Sequence, residues 1–321
     1  MAHSEVIDWL LDSDPAIRWQ VERDLLGASE SVWKKTRAAV STSGMGARLL
    51  ARRGDDGLWA GGPFFPAGWD MEGGGPQPWT ATTWVLKDLR EWGVAASALG
   101  NTAHKLESVT WEYDDLPYWG GEVDVCINSW TLSNGLWLGA DVDGIVDWFL
   151  EHQLDDGGWN CEWVDGATVG SFHSTLNALI ALLDYQLTSG DTQRVGGARR
   201  AGEEYLLQRE LFRRRSTGDT VGDWALSLAH PRRAYYNVLA AADYFRAAAE
   251  ADKSAPDPRM RRAIAHIRSL QQPDGRWLQG HRLAGDVWFH QDVGKGKPSK
   301  FVTLQALRVL GWWDARTPAH G

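Results

Sequence analysis

Apolar positions recur along this chain at helical spacing, in segments that alternate in character. Residues 80–92, 127–138, 175–185, 235–245 and 301–310 combine large apolar with small side chains, and the spacing predicts largely buried helices. Residues 97–113, 142–153, 194–210 and 258–271 are more polar and predict outer helices with one wet face. Gly93, Gly139, Gly190 and Gly311 lie where stop signals are expected. Ahead of this series, residues 5–11 and 16–26 read as short amphipathic helices, the second opened by Asp14-Pro15, and residues 33–51 as a third. Residues 61–75 form a glycine and proline loop. Strand-like alternation is scarce, so the pattern predicts an all-α chain.

The alternation is punctuated by a repeated turn. Asp56-Gly57-Leu58-Trp59, Asp156-Gly157-Gly158-Trp159 and Asp274-Gly275-Arg276-Trp277 share one signature, and the last two follow Gln153 and Gln271. The aspartates are 100 and 118 residues apart, and weaker turn signals divide each step, so the unit is about 40–60 residues, the size of a helical hairpin. Inner and outer helices alternating in this way predict an α/α toroid of five to six hairpins over residues 47–321, with residues 1–46 as extra helices packed on it.

These Gln-x-x-Asp-Gly-x-Trp turns resemble the repeats of squalene–hopene cyclases and protein prenyltransferase β subunits, over about residues 47–313. The chemistry of the two groups differs. No Asp-x-Asp-Asp acid motif of the cyclases occurs, and neither Asp114-Asp115 nor Asp155-Asp156 opens an aspartate-rich motif of metal-dependent terpene synthases. Asp124-Val125-Cys126 is similar to the Asp-x-Cys zinc segment of the prenyltransferases, and Phe172-His173-Ser174-Thr175 to their histidine segment. That resemblance implies Asp124, Cys126 and His173 as zinc ligands. Cys161 has no counterpart there, and a Cys-Cys-His set is similar only in composition to the site of lanthionine cyclases.

Composition narrows the field. The 321 residues are 43% hydrophobic and 23% charged, ordinary for a globular chain, whereas 20 tryptophans are unusual and point to turns or an aromatic cavity. A formal charge of −9 argues against a nucleic-acid partner. With no apolar run long enough to span a bilayer, no export signal and two cysteines, the expected location is a reducing cytoplasm.

Those two cysteines stand at matching points of the repeat, with His173 at the next one. Cys126, Cys161 and His173, with Asp124 as fourth ligand or neighbour, are the candidate Zn²⁺ ligands; otherwise both cysteines are small buried apolar residues or a redox pair. Asp124, Glu122 and Glu162 are candidate acids or bases, and Trp79, Trp130, Trp163, Tyr235 and Tyr236 candidate walls of a substrate pocket, against the alternatives of solvated loop carboxylates and core packing. The function expected is a zinc enzyme acting on a lipophilic small molecule, with the metal as Lewis acid or activator of a nucleophile. The competing readings are a metal-free acid-catalysed cyclase or isomerase, and a non-catalytic hydrophobic-ligand carrier with structural zinc.

Overall fold

The computed structural model describes residues 2–71, 73, 75–112 and 115–317. Its elements are α1 (Ala2–Leu11), α2 (Pro15–Asp24), α3 (Glu30–Ala39), α4 (Gly44–Leu50), α5 (Thr82–Trp92), α6 (Thr102–Leu106) and α7 (Val125–Leu138). There follow α8 (Asp143–Glu151), α9 (Phe172–Ser189), α10 (Thr192–Leu207), α11 (Asp223–Leu226), α12 (Val238–Asp252), α13 (Arg261–Ser269) and α14 (Lys300–Arg316). Among the described residues there is no strand, only isolated bridges such as Trp59 with Gly62, and the fold is all-α.

Helix contacts pass from α5 to α7, α9, α12 and α14, then from α14 to α2, α2 to α4 and α4 back to α5. The inner helices thus form a closed circuit, an arrangement compatible with the expected toroid, in which α2 and α4 fill the gap between its two ends. Hydrogen bonds join those ends directly. The Trp79 indole donates to the carbonyl of Ala284 at 2.7 Å, and that of Trp288 to Thr80 at 2.9 Å. Outside the circuit, α8, α10 and α13 pack on α7, α9, α12 and α14.

The three Asp-Gly-x-Trp turns are the same physical object. In each, the aspartate Oδ1 accepts the amide two residues on, at 2.8–3.1 Å. The glycine takes φ of +88°, +85° or +82°, which a side chain would strain. Each tryptophan is fully buried, and its indole donates to the carbonyl ten residues earlier, at the end of the preceding helix. Its backbone amide donates at 3.0 Å to a threonine of the next inner helix, respectively Thr82, Thr175 and Thr303. One turn therefore ties off an outer segment and seats the inner helix that follows.

Several elements depart from expectation. Residues 33–51 are two helices, broken before Gly44, whose φ is +66° and whose missing Cβ leaves room for the Asp14 carboxylate. Where the pattern predicts one helix over 97–113, the described residues, 97–112, hold only a 3-10 turn and the short α6, interrupted at Gly100; residue 113 lies outside the described residues. Gly311 lies inside α14 rather than ending it, whereas Gly93, Gly139 and Gly190 are left-handed caps as expected. Tyr235 and Tyr236 precede α12, which Asn237 caps by accepting the Ala240 amide at 2.8 Å.

Candidate metal centre

Asp124 ends an extended segment and caps α7. Its Oδ1 accepts the amides of Cys126 at 2.6 Å and Ile127 at 3.0 Å, which fixes the carboxylate at the helix N-terminus. Cys126, on the first turn of α7, is thereby carried beside it. The segment before the cap is itself held, because the Glu122 carboxylate accepts the Asp124 amide at 2.8 Å and the Asn128 carboxamide closes on the Glu122 backbone. Glu122 is buried.

Cys161 arrives from the other side. It opens a short 3-10 segment, Cys161–Asp165, two residues after the buried Trp159. Its amide donates to the Ser174 hydroxyl of α9 at 3.1 Å, and the Trp163 indole of the same segment donates to the Val123 carbonyl at 2.9 Å. The second contact pulls the 161–165 segment against the residue preceding Asp124.

The result brings Asp124, Cys126 and Cys161 together, with one donor atom from each within 4.8 Å of the others. The Cys161 sulfur lies 3.3 Å from that of Cys126 and 3.3 Å from Asp124 Oδ1. Tetrahedral zinc with two sulfurs and one oxygen has ligand–ligand edges of about 3.6–3.8 Å, so the two edges that meet at Cys161 need to open by about half an ångström or less. Ser174 and Asn177 surround the sulfurs: Ser174 Oγ is 3.2 Å from Cys161, and Asn177 Nδ2 donates to Cys126 at 3.3 Å. The Cys126 thiol is pushed well above its ordinary pKa, first by its hydrogen bond with Cys161, then by burial and by the negative potential of Cys161 and Asp124. Such a group accommodates its negative charges when a cation replaces the protons.

His173 stands outside the group. Its Nδ1 accepts the Tyr236 amide at 2.8 Å, and its ring stacks on Trp224 with centroids 4.6 Å apart. With Nδ1 accepting, the proton of the neutral ring sits on Nε2, which leaves neither nitrogen as a metal donor in this arrangement. Burial, helped by the Arg232 charge, lowers the His173 pKa to about 4, so the ring is neutral at pH 7.

Of the other expected residues, Glu162 and Trp163 share the segment of Cys161, while the rest lie elsewhere. Glu162 is exposed, its amide bound by the Asn160 side chain at 3.1 Å. Trp130 is packed against Trp84 at 4.5 Å and Phe64 at 6.3 Å, inside the core. Trp79 lines a small cleft with His230 and Arg233. Trp163 packs on His152 at 4.4 Å, and the buried Tyr236 donates its hydroxyl to the Leu211 carbonyl at 2.5 Å. Tyr235 is 46% exposed beside His173. In place of an aromatic pocket at the helix mouths, a cavity of about 310 Å³ lies inside the circuit, where apolar side chains such as Ile180, Leu183 and Leu304 alternate with ionic and polar groups of α5, α9, α12 and α14.

Sequence reasoning missed Ser174, Asn177 and Arg232. Ser174 and Asn177 lie three apart on α9, a spacing that places both on the face turned to Cys126, but the signal is shared by any helix. Arg232 lies in a loop and carries no signal at all.

No family model and no curated protein matches the chain. A solved structure of a protein from Actinoplanes is similar at 19% identity over 98% of both chains, with a TM-score of 0.47. No helix among the described residues is long and apolar enough to cross a membrane.

Proposed function

We propose that Asp124, Cys126 and Cys161 hold a zinc ion, and that the protein is a zinc-dependent enzyme acting on a lipophilic small molecule. The observation that carries this reading is the convergence of two sulfurs and a carboxylate within 4.8 Å, from two separate segments. Two soft donors with one hard one suit zinc, and three protein donors leave a coordination position for substrate. Zinc bound there supplies Lewis acidity or activates a bound nucleophile. The chain's own groups position the donors: Asp124 by capping α7, Cys161 through Ser174, Cys126 through Asn177.

The surroundings support a lipophilic substrate. Val123, Val164, Val169, Trp224 and Tyr235 are all at least 38% exposed, and all lie on the segments that bear the donors or flank His173. Exposed apolar side chains gathered around polar chemistry mark an interaction site. Both cysteines are free thiols, in keeping with a reducing cytoplasm.

Elemental analysis of protein purified without chelator tests the reading. One zinc per chain is expected, with loss of it in Cys126→Ser, Cys161→Ser and Asp124→Asn. Wild-type protein that neither carries zinc nor takes up one equivalent would sink the proposal. The 3.3 Å sulfur contact also favours a second reading, a dithiol oxidised to a disulfide with loss of two protons and two electrons to a peroxide or a small-molecule disulfide. Rapid disulfide formation in zinc-free wild type, blocked by stoichiometric zinc, would show both uses of one pair.

A further inference from the structure

The cavity inside the helix circuit lies one hydrogen-bonded side chain away from the candidate metal centre. Four cations line it, Lys87, Arg232, Arg246 and Arg308, against three carboxylates, Glu91, Asp184 and Asp243. Every one of those carboxylates already has its partner. Glu91 is held by Lys87 at 2.8 Å, Asp184 by Arg90 at 2.9 Å, and Asp243 by Arg246 at 2.7 Å and also by Arg308.

Arg232 is the cation left over. Among the described residues it makes no ion pair. Its Nη1 donates to Asn177 Oδ1 at 2.8 Å and to the Tyr235 carbonyl at 3.1 Å, and those are its two hydrogen bonds among the described residues. A guanidinium has five N–H donors on three nitrogens, and Arg232, which lines the cavity, uses only Nη1 on acceptors among the described residues. An incompletely solvated, unpaired guanidinium is costly unless an anion meets it. The Asn177 carboxamide joins this group to the metal centre, since it accepts from Arg232 through Oδ1 and donates to Cys126 through Nδ2 at 3.3 Å.

We propose that the cavity binds the carboxylate end of a lipophilic monocarboxylate, with Arg232 as its partner. One guanidinium without an ion pair matches a single anionic group, and the planar fork of arginine pairs with a carboxylate through two parallel hydrogen bonds. A cavity of about 310 Å³ accepts a head group and a short chain, and Ile180, Leu183, Leu187, Phe301 and Leu304 give the same cavity an apolar wall for that chain. This assignment names the substrate class of the proposed enzyme and rests on that reading, but the binding itself needs no metal.

The test is calorimetric titration with octanoate and with octanamide, its neutral counterpart, alongside zinc analysis of the same samples. Wild type is expected to bind one octanoate per chain, at least about tenfold more tightly than octanamide. Arg232→Gln is expected to bring octanoate down to the level of octanamide, and Arg232→Lys to recover part of the difference, with zinc content unchanged in both. Equal binding of acid and amide by wild type, a comparison that needs no variant, overturns the assignment, as does octanoate binding that is undiminished in folded Arg232→Gln. Should wild type hold no zinc yet bind octanoate through Arg232, the metal reading falls and the carboxylate site stands.

Discussion

His230 shows how a single side chain can be set by its burial. It stacks on Phe301 with centroids 3.8 Å apart, its Nε2 is buried without a partner, and burial lowers its pKa to about 3. The unfolded chain takes up a proton near pH 6.5 that the folded chain refuses until about 3, so stability drops as pH falls through that window. One such proton costs about 1.4 kcal/mol per pH unit. Urea titrations at pH 6.5 and 4.5 are therefore expected to show a smaller loss of stability in His230→Phe than in wild type, by up to about 2.7 kcal/mol. The two cysteines predict a different pH dependence. Each thiol must lose its proton to bind metal, so zinc affinity is expected to rise with pH, by up to about 100-fold per unit where both are protonated. Competition with a coloured chelator at pH 6 and 8 measures it, and a pH-independent affinity would show that the thiols are not the ligands.

The Asp-Gly-x-Trp turn is the element that builds the site, because Trp159 seats α9 and Cys161 follows two residues later. Gly157 is its tightest point: φ is +85°, and a Cβ there would meet the Ala201 carbonyl at 2.5 Å. Left-handed backbone alone costs a non-glycine residue about 1–2 kcal/mol, so Gly157→Ala is expected to lose at least about 2 kcal/mol in chemical denaturation. Thr175→Val removes the hydroxyl that accepts the Trp159 amide at 3.0 Å and leaves a buried donor unpaired, at a cost of about 1–3 kcal/mol. Both changes are expected to weaken zinc binding as well, since they loosen the segment that presents Cys161. Unchanged zinc affinity in a destabilised Gly157→Ala protein would separate the turn from the site.

Closure of the circuit depends on ion pairs across distant parts of the chain. Arg308 of α14 reaches Asp24 of α2 at 2.9 Å and Asp243 of α12 at 3.0 Å, with all three side chains largely out of water. Two arginines hold the Asp243 carboxyl well below the usual carboxylate range, despite its burial. Removing one partner of a buried pair leaves uncompensated charge, so Arg308→Leu is expected to cost about 3–5 kcal/mol. The exposed pair of Arg268 with Asp314 is the control, and Arg268→Leu is expected to cost less than about 1 kcal/mol. Similar losses in the two variants would mean that the closing pairs contribute no more than surface ones.

Helical periodicity, the three repeated turns and the left-handed glycines at 93, 139 and 190 are local properties, and the sequence by itself determined them. It also marked Asp124 and the cysteines, because Asp-x-Cys at a helix start and a cysteine just after a repeat tryptophan are positions along the chain that repeat geometry brings to one end. What it could not determine is which neighbours those residues meet. His173 is instead engaged by the Tyr236 amide, 63 positions away, and that Arg232 has no ion pair is visible only once the carboxylates around it are seen with their other cations. Trp130 and Tyr236 look in the sequence like any aromatic that could face a cavity, yet packing put both in the core. Hydrophobic pattern sets which face of a helix is buried, whereas the chemistry of a cavity depends on charges from several helices whose mutual distances exist only in the closed fold.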